Sequence, residues 1–354
     1  MERRTKTTLE NLHHLSNIGS FEGRDIHCIT LQNELGTLLK VFTFGAIWHS
    51  LELLDKNGEL FDVVVAPKSL EDYIRQRKEN PYYFGASIGR YTGRIAKGHF
   101  KMEGVTYQLP VQNKVHLHGG PGGLHSKIWD IESMDMGNEG TSVTLACTSQ
   151  HMEEGYPGTI SVKVTYTLTH QNDVRILYEA DSDRDTIVNL TNHVYFNLDR
   201  ESVLQQECKI GADSILETHE DLIPTGNRLA VNGTPYDFNI CQPLRKIASI
   251  QGLDDCYVFH NGDDGPKAQL VSPNTGIQME MDTDQPAVVV FTPHQLRFAG
   301  SPKQKRWHAQ DFPAICFEAQ HFPDSPNHPH FPTTVLKKGS LYRNYTSYAF
   351  KVMA

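Results

Sequence analysis

Apolar and polar residues alternate with period two along much of the chain. The clearest run is Thr159–Leu168, where Ile160, Val162, Val164, Tyr166 and Leu168 fall on one face and Ser161, Lys163, Thr165 and Thr167 on the other. Successive side chains of a strand point to opposite faces, so this pattern predicts a strand with one buried face. Shorter runs of the same kind occur at Leu38–Thr43, Ser142–Thr148, Val174–Ala180, Ile277–Met281, Val288–Thr292 and Tyr348–Val352. Between runs lie clusters such as Pro121-Gly122-Gly123, Tyr156-Pro157-Gly158 and Asn261-Gly262-Asp263-Asp264, which close turns by supplying positive φ or fixing it. Only Ser69–Lys78 has a helical pattern, and it is short. Parallel sheets need long helical crossovers, so the pattern predicts an all-β, antiparallel sandwich or distorted barrel with few short helices. Its long loops would carry polar groups around a concave site. Length divided by ~150 gives a prior of about two domains. With no low-complexity linker and no 20–50-residue repeat, however, residues 1–354 are expected to form a single domain.

Composition narrows the partners. Hydrophobic residues make up 38% and charged residues 21% of the chain, enough apolar matter for a sizeable core and too little charge for disorder. Lys and Arg number 33 against 42 Asp and Glu, a net charge of -9, which opposes a nucleic-acid or anionic-lipid surface and favours a small neutral ligand. The basic cluster Arg3, Arg4 and Lys6 is not followed by the apolar stretch of a secretory signal. No run approaches the ~20 apolar residues that span a bilayer. The six cysteines form no CxxC pair, so no zinc ribbon or redox motif is visible and reduced thiols in a cytoplasmic protein are expected. On that expectation the sequons at Asn189, Asn232 and Asn344 are chance matches.

Four distant segments concentrate Arg, His and Glu beside Gly and aromatic residues. In FGASIGRYTGRIAKGHF (Phe84–Phe100) the glycines at 85, 89 and 93 are spaced by four, unlike a GxGxxG phosphate loop. Arg94 there offers a planar fork of donors to a polar ligand, or simply a surface ion pair. In NKVHLHGGPGGLHSKIW (Asn113–Trp129), His116 and His118 would share one face of a strand and could chelate a metal, although no third ligand is evident nearby. A satisfied structural histidine is the alternative, with Gly119-Gly120 allowing a backbone or ligand to approach closely. NLTNHVYFNL (Asn189–Leu198) places His193 among short polar residues and aromatics, suited either to the core or to holding one tautomer near a sugar face. In AICFEAQHFPDSPNHPHFPTTVLKKGSLY (Ala314–Tyr342), Glu318 interrupts an apolar strand-like run. A buried carboxylate costs several kcal/mol unless it is paired or protonated. The prolines at 323, 326, 329 and 332 then require a fixed loop, in which His328-x-His330 is a second possible metal pair.

These segments, from Gly45 through GRI, LHGG and NHVYFNL, then IPTGNRLAVNGTPYDF (Ile223–Phe238), LDDCYVF (Leu253–Phe259) and FEAQHFPDSPNHPHFP, occur in an order that resembles the aldose 1-epimerase (galactose mutarotase) family over nearly the whole chain. The resemblance implies a β-supersandwich enzyme that interconverts the α and β anomers of free aldoses such as galactose and glucose, without cofactor or metal. It also implies that Glu318 is the general base on O1 and His193 the general acid on O5. Arg94 and His118 would orient the sugar, and Asp254 would grip a hydroxyl. The chain departs from the family pattern at Gly93, where Asn is common, at Asp255, where the DH pair reads Asp254-Asp255, and at Val289, where Gln is frequent. Phe291-Thr292-Pro293-His294 stands where YTGN is common. These departures bear on sugar preference. The alternatives to weigh are a non-catalytic carbohydrate-binding protein on the same fold, a hexose-phosphate mutarotase, which would need cations beyond Arg94, and a metalloenzyme built on the His-x-His pairs.

Overall fold

The computed structural model describes residues 13–79, 81–112, 114–260, 265–296 and 311–353. The N-terminal basic cluster and the Asn261–Asp264 turn lie outside them. Two large antiparallel sheets dominate. A nine-stranded sheet runs in the spatial order Asp130–Gly137, Gly140–Ser149, Ile160–Thr169, Asp173–Ser182, Tyr342–Val352, Ile277–Thr283, Ala268–Val271, Glu207–Ile210 and Gln242–Pro243. A six-stranded sheet runs Tyr195–Phe196, Ile315–Gln320, Ala287–Phe291, Asp254–Phe259, Ala212–Thr218 and Pro224–Ala230. A five-stranded meander over His13–Asp62 completes the layers.

The period-two pattern sets which face goes inward. In Ile160–Thr169 the predicted apolar face is buried throughout, while Ser161 and Lys163 face solvent. Each such Val, Ile or Leu contributes about 1.5–3 kcal/mol by burial, so a single Val164→Asp change would leave an unpaired charge in the core. One contiguous apolar cluster takes Trp48 and Leu51 from the meander, Val164, Tyr166 and Met279 from the nine-stranded sheet, and Tyr257, Val288, Val290 and Phe317 from the six-stranded sheet. Tyr348 ties the layers together. Its ring meets Trp48 edge-on at 5.5 Å, and its hydroxyl donates to the Phe317 carbonyl at 2.9 Å.

The α-helix of the described residues, Leu70–Glu79, follows the helical pattern closely. Ser69 Oγ accepts from the Asp72 N–H at 3.3 Å, capping the first turn, while Glu71 and Asp72 at the start and Arg77 and Lys78 at the end complement the helix dipole. Its buried Tyr73 packs edge-on against Phe42. No helix of the described residues is long and apolar enough to cross a membrane.

Candidate active site

The six-stranded sheet buries one face in the core and turns the other toward a cleft. In Ile315–Gln320 the odd positions Ile315 and Phe317 join the core, so Cys316, Glu318 and Gln320 must face the other way. Antiparallel register then builds a floor in rows. Cys316 lies opposite Phe291, which lies opposite Asp254. Glu318 lies opposite Val289, which lies opposite Cys256.

Three other segments form the walls. Arg94 begins a short strand, Arg94–Ala96, paired with Val115–Leu117 so that Arg94 stands beside Leu117. The next residue, His118, takes φ +52°, which reverses the chain and turns its ring toward the cleft. The left-handed turn continues through Gly119, where a Cβ would meet the Gly89 carbonyl oxygen at 1.9 Å, so only glycine fits. Two bonds fix His118: its N–H donates to the Gly93 carbonyl at 3.0 Å, and its Nδ1 accepts from the Gly93 N–H at 3.2 Å. A neutral His118 therefore carries its proton on Nε2. His193 is pinned by its N–H to the Ala86 carbonyl and by the Gly85 N–H to its own carbonyl. Its ring stacks on Tyr195 at 5.1 Å.

All five residues singled out in the sequence, Arg94, His118, His193, Asp254 and Glu318, line this one cleft of about 240 Å³. His193 Nε2 lies 3.4 Å from Glu318 Oε1, and Arg94 reaches Asp254 at 3.7 Å. Glu318 Oε2 finds no hydrogen-bond partner among the described residues. Sequence reasoning missed Tyr82, Tyr83, Cys316 and Gln320. Tyr83 packs its ring 4.8 Å from His118. Cys316 Sγ lies 3.7 Å from His193 Nδ1. The alternation that marked Glu318 also places Cys316 and Gln320 on its face, and this was the available signal.

The paired histidines of the sequence separate. His116 is buried with both nitrogens used, Nδ1 on the Pro110 carbonyl and Nε2 on the Tyr156 hydroxyl, each at 2.7 Å. The strand ends at Leu117, and the positive φ of His118 breaks the period that would have put both rings on one face. His328 and His330 stand nearly perpendicular, with His328 Nε2 by Asp324 at 3.4 Å and His330 Nε2 on the Gly226 carbonyl at 2.9 Å. Among the described residues, the set that could accept a divalent cation is instead His118, His193 and Glu318, whose ligand atoms lie within 4.8 Å of one another.

Burial governs the protonation of the site. Desolvation raises the Glu318 carboxyl well above the usual carboxylate range; the nearby Asp254 adds to this and Arg94 opposes it. His193 is lowered by burial to about 4, and His118 is held well below its ordinary value by burial and by the neighbouring His193 and Arg94. Burial raises Asp254, with Arg94 opposing, and raises Asp255 to about 6. Glu318 Oε1 and His193 Nε2, 3.4 Å apart, are thus biased by the same burial, the carboxyl toward its protonated form and the imidazole toward its neutral one.

Fold and cleft together define an acid–base enzyme on an antiparallel β-sandwich, with a site sized for a small polar molecule. The aldose 1-epimerase family model matches residues 27–349. The chain is 33% identical to an aldose 1-epimerase of Haemophilus influenzae over 93% of its length and 97% of that protein. It is 34% identical to a galactose mutarotase of Bos taurus over 88% of its length and 90% of that protein. The crystal structure of an aldose epimerase homologue from C. elegans superposes with a TM-score of 0.85 at 26% identity, covering 92% of this chain and 99% of that one. The chain belongs to the aldose 1-epimerase family.

Proposed function

We propose that this cleft interconverts the α and β anomers of a free aldose through proton transfers at Glu318 and His193. The activity is that of an aldose 1-epimerase. Its chemistry needs a group to take the proton from the anomeric hydroxyl and another to protonate the ring oxygen. In the reactive form of the pair the proton sits on His193 Nε2 and Glu318 is a carboxylate. Moving it there from Glu318 changes no net charge, and the Arg94 guanidinium favours the carboxylate. Glu318 then accepts the O1 proton while His193 gives its Nε2 proton to O5. The C1–O5 bond breaks, leaving an open-chain aldehyde. Rotation about C1–C2 presents the opposite carbonyl face. Ring closure runs the transfers backwards, with neutral His193 taking the O5 proton and Glu318 returning one to O1.

Cys316 suits a histidine that cycles in this way. Burial pushes its thiol far up, so it stays protonated. Because the transferred proton comes and goes at Nε2, Nδ1 keeps its proton throughout, and the Cys316 sulfur, a weak acceptor 3.7 Å away, faces that N–H. His118, with its proton on Nε2, donates to the sugar near the reacting oxygens, and Arg94 and Asp254 hold further hydroxyls. The apolar row Val289 and Phe291 underlies the sugar face.

The observation that carries this reading is the 3.4 Å approach of His193 to Glu318 in a cleft shared with Arg94, His118 and Asp254. Galactose, the sugar in the name of the bovine relative, is the first substrate to try. Arg94 is the only Lys or Arg among the described residues lining the cleft, a poor match to a phosphate dianion. We further propose that the chain works as a single domain, as its shared apolar cluster supports, and that it is cytoplasmic, in keeping with six unpaired thiols. Polarimetry on freshly dissolved α-galactose tests the activity. A rate no faster than spontaneous mutarotation, across galactose, glucose and a reducing disaccharide, would leave only a sugar-binding role.

A further inference from the structure

We propose that Gln320 binds the C2 hydroxyl of the sugar and so makes the enzyme discriminate against 2-deoxy aldoses; this deepens the mutarotase reading and rests on it. Gln320 is fully buried, and neither its Nε2 nor its Oε1 finds a hydrogen-bond partner among the described residues. An unpaired buried polar group costs about 1–3 kcal/mol, so an amide left without partners calls for one that arrives with the ligand. Glu318 Oε2, on the same face of the same strand, is in the same condition. Both groups line the cleft.

The order of residues along this strand selects the hydroxyl. The His193 ring spans Cys316 and Glu318, with Nδ1 at 3.7 Å from Cys316 Sγ and Nε2 at 3.4 Å from Glu318 Oε1. The donor to the ring oxygen therefore lies on the Cys316 side of Glu318. Gln320 lies on the opposite side, two residues or roughly 6.8 Å further along the strand. In a pyranose, C1 sits between O5 and C2. A sugar with O1 at Glu318 and O5 toward His193 accordingly points C2 at Gln320. A hydroxyl there matches both halves of the amide, accepting from Nε2–H and donating to Oε1.

Gly93 keeps that edge open. A Cβ at this position would press on Pro323 Cβ at 3.1 Å and touch Gln320 Nε2 at an ordinary 3.7 Å, and a longer side chain would extend over that edge. Val289, beside Glu318 in the floor, brings no polar atom to compete for the same hydroxyl.

The test compares galactose with 2-deoxygalactose in the wild-type protein and in Gln320→Leu. The readouts are kcat/KM by polarimetry, corrected for each sugar's spontaneous rate, and affinity by calorimetry. The wild type is expected to favour galactose by roughly 10–100-fold, the range for one or two lost hydrogen bonds in a buried site. Gln320→Leu should lose about that factor on galactose and little on 2-deoxygalactose, bringing the ratio near one. Equal losses on both sugars, or an unchanged ratio, would reduce Gln320 to a structural residue and overturn the proposal. If the Leu variant does not fold, the wild type alone decides. It must handle 2-deoxygalactose at least about tenfold less well than galactose, and equal handling of the two sugars refutes the assignment. A wild type that binds these sugars without turning them over would fail the mutarotase reading, and the calorimetric ratio would still judge Gln320.

Discussion

Glu318→Gln is the sharpest perturbation of the site because it removes a proton acceptor while changing almost no volume. A well-placed proton-transfer group contributes about 10²–10⁴-fold, so the variant should lose that factor in kcat, about 3–5 kcal/mol of barrier. Stability should move the other way. Burial and Asp254 hold the Glu318 carboxyl well above its ordinary value, so the native state keeps a proton that the unfolded chain releases above pH ~4.5. The native state binds more protons in that window, and the wild type loses stability as pH rises, up to about 1.4 kcal/mol per pH unit, until the native pKa is passed. A neutral amide carries no such penalty. Urea denaturation should therefore find Glu318→Gln more stable than the wild type at pH 7, with the gap closing toward pH 4. Polarimetry on fresh α-galactose reads the rate. A variant turning over within tenfold of the wild type would refute the base assignment, and a stability gap independent of pH would refute the electrostatic account of the site.

Other consequences of the structure can be checked separately. Cys316→Ala removes the group facing His193 Nδ1 at 3.7 Å and should lower kcat severalfold to tenfold with little change in KM, whereas Cys316→Ser should retain most activity; equal kcat in all three proteins would exclude a positioning role. Burial lowers His49 and His193 to about 4 and His125 to about 3. Their unfolded forms take up protons below pH ~6.5 while the native forms do not. This share of stability is present above pH 6.5 and is lost as pH falls toward 4 and 3, and His193→Asn should flatten the acid limb of denaturation midpoint against pH; an unaltered slope would contradict it. Exhaustive chelation should leave the rate unchanged, while added Zn²⁺ should inhibit in competition with sugar by occupying His118, His193 and Glu318. A chelator-sensitive enzyme, or one unaffected by millimolar Zn²⁺, would count against that use of the three side chains.

Local alternation identified part of the strand set. Ile160–Thr169, Gly140–Ser149 and Ile277–Thr283 cover the predicted runs because side-chain period and backbone pleat are properties of adjacent residues. The helix was legible as the short helical pattern Ser69–Lys78, which the observed Leu70–Glu79 follows within a residue at each end. Glu318 declared itself as a carboxyl in an apolar run, and the family resemblance carried the other four site residues. Tertiary structure decided what alternation cannot encode. Strand register, set by contacts between residues distant in sequence, put Asp254 and Glu318 across the same floor. A single positive φ at His118 sent His116 to Tyr156 and His118 to the cleft, dividing a pair that period two had joined. The protonation of Glu318 and His193 also belongs to the fold, because desolvation arises only when distant segments close over both groups.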